Sequence, residues 1–504
     1  MYQRLFAYLV FVGCCYALHL PLPPDELNIY FNERRELLKK SLDDSLGGHL
    51  VLNNEERVVN EILERWRNEE FDKGVKNPSE FWASQHFFNA KPHIEKSKVF
   101  RIIQKFPKGA SLHSHETALV SADYIYYNIT FRENIYAMES ESGAITLKFF
   151  KQHPGAPWSP IAHLRQIDRT FGHRLKEQMT LMRNNTALLH SDVNTIWKEF
   201  QHIFDTMKSL LTYKPVFKDY FYQALREQYE DNIKYIEFRS TLPLLYDLYG
   251  TVYDQEETVR VYVETTKEFM DDYPDFWGAK LIFAPSRFTN NSVVEHYAHV
   301  LSRLDEEFPN FIAGFDLVGQ EDPGPPLKDF IPSLLKMTKQ SRLFLHAGET
   351  LSNGAKTDEN LIDAVLLNAT RIGHAYAILK HPEVMKKVKE QNIGLEICPI
   401  SNQVLGLVSD LRNHPANHLI ANNYPVIITS DDPSLWGAKG LSYDWYVAFM
   451  AMSSRHSDIR LLKQLAYNSI LYSSMDLYAK EVALKRWEND WRTFLIQVRK
   501  DEIL

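Results

Sequence analysis

The stretch SLHSHE, residues 111–116, sets two imidazoles two positions apart and follows them at once with a carboxylate. Side chains of a strand alternate between faces, so His113 and His115 point one way and Glu116 the other. Two histidines on one face either share a metal ion or end a strand in solvent, and the pair alone leaves both readings open. The same residue types recur downstream: His346 and Glu349 in HAGE, His374 in RIGH, Asp431 and Asp432 in SDDP, and Gly319 after an apolar run. Three neutral imidazoles and one carboxylate suit zinc with one coordination position left for water, and His113, His115, His346 and Asp431 make such a set. Zinc lowers the pKa of a bound water from about 15.7 towards about 7. His374 would orient that water or take its proton, and Glu349 would be the proton donor. Asp432, beside Asp431, would face the substrate while its neighbour faces the metal. Any one of these residues alone is more simply a hydrogen-bonded structural group.

They act together only if the fold gathers them. Eight short apolar, β-branched runs begin near residues 110, 233, 279, 310, 342, 369, 393 and 425, with helical stretches between them. Such runs predict a parallel sheet, and eight of them predict an α/β fold, a closed (β/α)8 TIM barrel. The rival is an open doubly wound sheet, which no GxGxxG after the first strand supports. In each run the apolar half comes first and the polar residues last, so the candidate residues fall at the C-terminal mouth where barrels build their sites.

More than a hundred residues separate the first two runs, far more than one crossover helix requires. Residues 128–186, with strand-like alternation and turn residues, are expected to form a small inserted unit. Residues 101–127 then carry the first strand and 187–504 the remainder of the barrel. Before them, residues 18–100 are charged, with Leu37, Leu38, Val58, Val59, Ile62 and Leu63 at helical spacing around Gly47 and Gly48. Two amphipathic helices there serve either as a layer on the barrel or as an interface for a second subunit.

The first 17 residues, with Arg4, an apolar run from Leu5 to Val12 and a small-residue end at Ala17, read as a secretory signal peptide. The run falls short of the roughly 20 residues of a membrane span. The expected location is therefore extracellular. Two of the three cysteines would leave with that peptide, so Cys398 remains alone and no internal disulfide can form. Glycosylation sequons stand at Asn128, Asn184, Asn290 and Asn368. The chain of 504 residues is 44% hydrophobic and 13% aromatic, enough for a large core, and carries a net charge of -8. No lysine and arginine run is long enough to track a phosphate backbone, which argues against a nucleic-acid partner.

HSH, HAGET, TRIGH and SDDP, in this order, resemble the adenosine deaminase family. GFDLVGQEDPG, CPISNQVLGLVSDLRNHP and SDDPSLWGAKGLSYD are similar to its secreted branch, the adenosine deaminase-related growth factors, over essentially the whole mature chain. The resemblance implies hydrolytic deamination of adenosine, and of 2′-deoxyadenosine with it, to the inosine product and ammonia. It implies one zinc on His113, His115, His346 and Asp431, proton donation to N1 of the purine by Glu349, and help to the water from His374. Asp432 and the backbone of Gly319 would hold the ring nitrogens. Trp197, Phe200 and Phe204 lie on one helix face in WKEFQHIF; the resemblance moves them from plain core packing to the wall of the nucleoside pocket. It also implies a homodimer through the N-terminal helices and a cell-surface receptor or glycan as partner of the insertion.

The chain departs from the branch pattern in four places. Glu116 replaces an aspartate that faces the sugar, Ser286 replaces a histidine in FAPSRF, and Ala375 replaces a glycine after RIGH. The insertion lacks the branch's disulfide, so its receptor role does not carry over. Glu116 and Ser286 motivate a second reading, a growth-factor-like signalling or binding protein with weak or altered deaminase activity. A cytidine-type zinc deaminase is excluded, since it requires HxE together with PCxxC and no PCxxC is present.

Overall fold

The computed structural model describes residues 24–182 and 191–501. The expected signal segment, with Cys14 and Cys15, and the Asn184 sequon lie outside the described residues. Each of the eight apolar runs becomes a strand: β1 (Gly109–Ser111), β2 (Ile233–Ser240), β3 (Gly278–Phe283), β4 (Ile312–Phe315), β5 (Phe344–Ala347), β6 (Arg371–His374), β7 (Gly394–Ile397) and β8 (Val426–Ile428). β1 to β4 pair in order, as do β5 to β8, all in parallel. A parallel bridge from Phe315 to Leu343 joins the two sets, and one from Ser114 to Asp431 closes the ring. The result is the expected eight-stranded β/α barrel. Strands β4 to β8 are buried on both faces, which is why they read as continuous apolar runs without alternation.

Two helices precede the barrel on either side of the Gly47–Gly48 break, α1 (Pro24–Asp43) and α2 (Asn54–Lys76). A capping box fixes the start of α2: Glu56 N–H donates to Asn53 Oδ1 at 3.0 Å, and Asn53 N–H donates to Glu56 Oε2 at 2.7 Å. Val59 and Leu63 of α2 are fully buried, whereas Leu27, Phe31, Leu37 and Leu38 of α1 are exposed. Only α2 is therefore a layer on the barrel.

The insertion folds as an antiparallel sheet in which Ile135–Glu139 pairs with Ile145–Phe149 and with Ser159–Pro160, followed by two short helices. Apolar packing holds it. Ile145, Leu147 and Phe149 are buried, and the Phe149 ring stacks on Tyr213 at 4.6 Å. Phe149 N–H donates to Tyr246 Oη at 3.0 Å. The sheet lies against α3 (Val193–Leu211), the helix that carries Trp197, Phe200 and Phe204. The long C-terminal helix α4 (Leu477–Asp501) covers the other end, where Trp491 Nε1 donates to Glu56 of α2 at 2.8 Å.

Candidate active site

The mouth of the barrel holds a cavity of about 510 Å³. His115, His346, Glu349, His374, Asp431 and Asp432 form its floor, while Trp197, Phe200 and Phe204 form one wall. Ser286, Gly319 and Glu116 also line it. Every site residue picked from the sequence is thus at or beside this one cavity, and His113 lies buried just beneath it.

The imidazoles crowd together. The His113 ring centre is 4.6 Å from that of His346, 5.0 Å from that of His374 and 5.4 Å from that of His115. Donor atoms of His113, His346, His374 and Asp431 all lie within 4.8 Å of one another. His115 joins through Asp431, with its Nε2 3.1 Å from Oδ1. This tight group contains His374, which the sequence pattern assigned to the water, as well as His113, His346 and Asp431, assigned to the metal. Glycine at 373 makes room for it, because a Cβ there would sit 3.0 Å from Cε1 of His113.

Carboxylates orient two of the rings. His113 Nδ1 is 2.7 Å from Glu396 Oε2, and His346 Nδ1 is 2.6 Å from Asp316 Oδ2. Both ring nitrogens donate, so each Nε2 carries a lone pair when its ring is neutral, as a metal ligand's must be. His113 Nε2 and Asp431 Oδ1 are buried without a hydrogen-bond partner, although they face each other at 3.3 Å. An imidazole lone pair turned to a carboxylate oxygen repels it unless a cation lies between, so the donor set fits a divalent metal such as zinc.

The acidic groups divide sharply. Burial alone pushes the Asp431 carboxyl upward, but contacts with His113 and His115 hold it well below the usual carboxylate range. Burial, and then the charge of Asp431 and of Glu321, raises Glu349 well above that range. Burial and Asp431 raise Asp432 in the same way. One carboxylate for a cation and two carboxyls that keep a proton follow from this arrangement. Burial pulls the His346 imidazole down to about 3, so it is neutral as a ligand must be.

The backbone is strained at the same place. His374, Ala375 and Asp431 have φ of 62°, 48° and 58°, left-handed values that cost about 1–2 kcal/mol each in a residue with a Cβ. Ala375 therefore occupies a turn that glycine would enter freely. Gly319, with φ of 113°, lies under the mouth; a Cβ there would press on Phe288 at 3.0 Å.

The two pocket departures have structural partners. The Glu116 carboxylate accepts from Tyr262 Oη at 2.6 Å, from Thr241 N–H and Oγ1 at 3.1 and 2.9 Å, and from Ser240 Oγ. It clamps the end of β2, and its oxygens are already engaged. Ser286 Oγ accepts from Phe288 N–H at 3.2 Å and so shapes the loop that holds Phe288 at the mouth.

The sequence pattern missed Asp316, Glu396, Arg239 and Asn402. The first three are charges inside apolar strand runs, GFDLVG, GLEIC and IEFRS, and a charge placed in a buried strand is itself a signal.

The adenosine deaminase family model matches residues 168–486, and an adenosine/AMP deaminase N-terminal model matches residues 10–103. The chain is 42% identical to a Phlebotomus duboscqi protein named adenosine deaminase, over 99% of each chain. It is 39% identical to the Homo sapiens protein named adenosine deaminase 2, covering 92% of this chain and 93% of that one. Among solved structures, the N6-methyl-AMP deaminase of Arabidopsis thaliana is similar in fold, with TM-score 0.56 and 16% identity over 77% of this chain and 98% of that one. An amidohydrolase of Burkhoderia ambifaria with bound Zn gives TM-score 0.57 and 18% identity over 80% and 95%. With its barrel and its N-terminal region each matched by family models, and with relatives alike from end to end, the chain belongs to the adenosine deaminase family, in its adenosine deaminase 2-like branch.

Proposed function

We propose that this chain is a secreted, zinc-dependent adenosine deaminase that lowers extracellular adenosine. The observation that carries the reading is the proton-bearing Glu349 carboxyl beside a group of imidazoles and one ionised aspartate, at the floor of a cavity large enough for a nucleoside. His113, His115, His346 and Asp431 would hold the zinc, which when bound supplies Lewis-acid activation of a water molecule. The bound zinc named for the amidohydrolase of similar fold supports the choice of metal.

Glu349 donates its proton to N1 of the purine, which draws electron density away from C6. The water oxygen bonds to C6 and the bond from C6 to the amino nitrogen breaks. N1 of inosine keeps the proton that Glu349 gave; of the two water protons, one leaves on ammonia and the other restores the Glu349 carboxyl. Asp432, also proton-bearing, donates to a second ring nitrogen and fixes the base in plane. Trp197, Phe200 and Phe204, stacked edge to face at 5.1 and 5.0 Å, exclude water from the other side of the base.

Exposed apolar residues on α1 support assembly with a second copy of the chain. Exposed asparagines at the sequons 128, 290 and 368 support passage through the secretory route. No described helix is long and apolar enough to cross a membrane.

Purified protein, collected from the medium of expressing cells and given adenosine, tests the reading by chromatography of inosine and assay of ammonia. Stoichiometric inosine and ammonia, abolished by a chelator and restored by zinc, is the expected result. A zinc-loaded protein that leaves adenosine unchanged would overturn it.

A further inference from the structure

The four imidazoles fall into two hydrogen-bond patterns. His113 and His346 turn Nδ1 to carboxylates, which only accept, so their Nε2 lone pairs face the centre. His374 is turned to an amide instead, with its Nδ1 3.1 Å from Nδ2 of Asn402. Which of that pair donates follows from a chain that ends on the backbone.

Ala416 N–H donates to His414 Nδ1 at 3.0 Å, so that nitrogen carries the lone pair. Burial holds His414 neutral, pulling its pKa down to about 3, and its one proton must therefore sit on Nε2. That N–H donates to Asn402 Oδ1 at 2.9 Å. The Asn402 oxygen is thereby fixed towards His414 and its NH2 towards His374. His374 Nδ1 accepts, and the network assigns the ring's proton to Nε2. His374, Asn402 and His414 are all buried, so no solvent competes for these bonds.

We propose that Asn402 and His414 are positioning residues that lock His374 in its Nε2–H tautomer, making it a hydrogen-bond donor at the reaction centre and removing it from the metal ligands. An Nε2–H has no lone pair to offer a cation, which leaves His113, His115, His346 and Asp431 as the donor set. It also has no site on that nitrogen for a proton, so His374 orients the water rather than deprotonating it. The Nε2 atom faces Asp431 Oδ2 across 3.8 Å, and that oxygen already accepts from Ser401 Oγ at 2.7 Å. The role given to the water rests on the deaminase reading above; the tautomer does not.

Histidine-15N-labelled, zinc-loaded protein would be examined by two-bond 15N–1H correlation, with the His374 signals assigned by their loss in His374→Gln. The expected pattern is an unprotonated Nδ1 and a protonated Nε2. Asn402→Asp replaces a donor by an acceptor of the same shape and should reverse the pattern. It should also lower kcat for adenosine roughly tenfold or more with little change in KM and in zinc content. His414→Leu frees the amide to turn and should give a mixture of both tautomers. A protonated Nδ1 in the unsubstituted protein, or a metal-bound Nε2, would overturn the proposal whether or not the variants fold. An Nε2–H signal in a protein that does not deaminate adenosine would sustain the lock and remove the functional reading instead.

Discussion

Nε of Arg239 lies 2.7 Å from Oδ2 of Asp316, the same oxygen that receives Nδ1 of His346. The other arm of that guanidinium is 2.8 Å from Glu396 Oε2, the oxygen that receives Nδ1 of His113. One fully buried cation thus fixes both carboxylates that aim the imidazoles. Burial opposes its charge, but Glu396 and Asp316 more than offset that. A planar fork can serve two carboxylates at once, whereas an ammonium is a single point. Arg239→Lys should therefore lower zinc affinity about 10- to 100-fold, read by competition with a calibrated chelator. Arg239→Met leaves buried Asp316 without its cation and Glu396 with Arg371 alone, and should cost about 3–5 kcal/mol in denaturant unfolding. Unchanged zinc affinity in Arg239→Lys would show that the imidazoles are aimed by something else.

Glu349 supplies a pH dependence whose sign is set by its environment. Its carboxyl holds a proton well above the usual carboxylate range because of burial and then the charges of Asp431 and Glu321. The protonated form is the donor, so kcat should be full below the raised pKa and fall as pH rises through it. Glu349→Gln keeps the shape and offers no proton. It should lower kcat about 10²- to 10⁴-fold and remove the alkaline limb, with zinc content unchanged. An alkaline limb that persists in Glu349→Gln would assign that ionisation to another group.

The barrel was legible because its strands are mostly apolar, β-branched runs with polar residues past their C-terminal ends, and a parallel sheet buried on both faces leaves that trace despite the charges at Arg239 and Glu396. His113, His115, His346, His374 and Asp431 were legible because chemistry concentrates rare residue types at those ends. The support behind them was harder to see. Asn402 and His414 are separated from His374 by 28 and 40 positions and read as ordinary polar residues of a short helix and a loop; only the folded chain makes them a relay. Glu116 shows a different gap. The strand expected to carry it ends at Ser111, so Glu116 sits on a short turn beyond it and lines the same cavity as His115; its partners Tyr262, Ser240 and Thr241 come from elements more than a hundred residues away, so its engagement was not readable.

That engagement bears on the second reading, in which Glu116 and Ser286 weaken the pocket. In this chain the longer side chain reaches Tyr262, whose hydroxyl is fully buried. Glu116→Asp would withdraw the carboxylate by one methylene and leave that hydroxyl only its longer contact with Ser240 Oγ at 3.3 Å, at about 1 kcal/mol. The variant should therefore melt lower and show no gain in kcat/KM for adenosine, alone or with Ser286→His. A marked gain in kcat/KM without loss of stability would instead support a pocket impaired by these two residues.

Helix α1 carries the prediction about assembly. Leu27, Phe31 and Leu38 fall on one face at helical spacing and are 40%, 54% and 40% exposed, so the described residues of a single chain leave this stripe uncovered. Large apolar side chains in a row on a soluble surface mark an interaction site. In α2, by contrast, Val59 and Leu63 are buried against the barrel, so of the two helices α1 is the one left with an exposed apolar stripe. Sedimentation equilibrium of the purified protein should give twice the chain mass. Phe31→Asp combined with Leu38→Asp places two charges in the stripe and should return the mass to that of one chain, with the circular dichroism of the barrel retained. The interface lies elsewhere if the double variant keeps the full mass, and the chain has no such partner if the unsubstituted protein already sediments as a monomer.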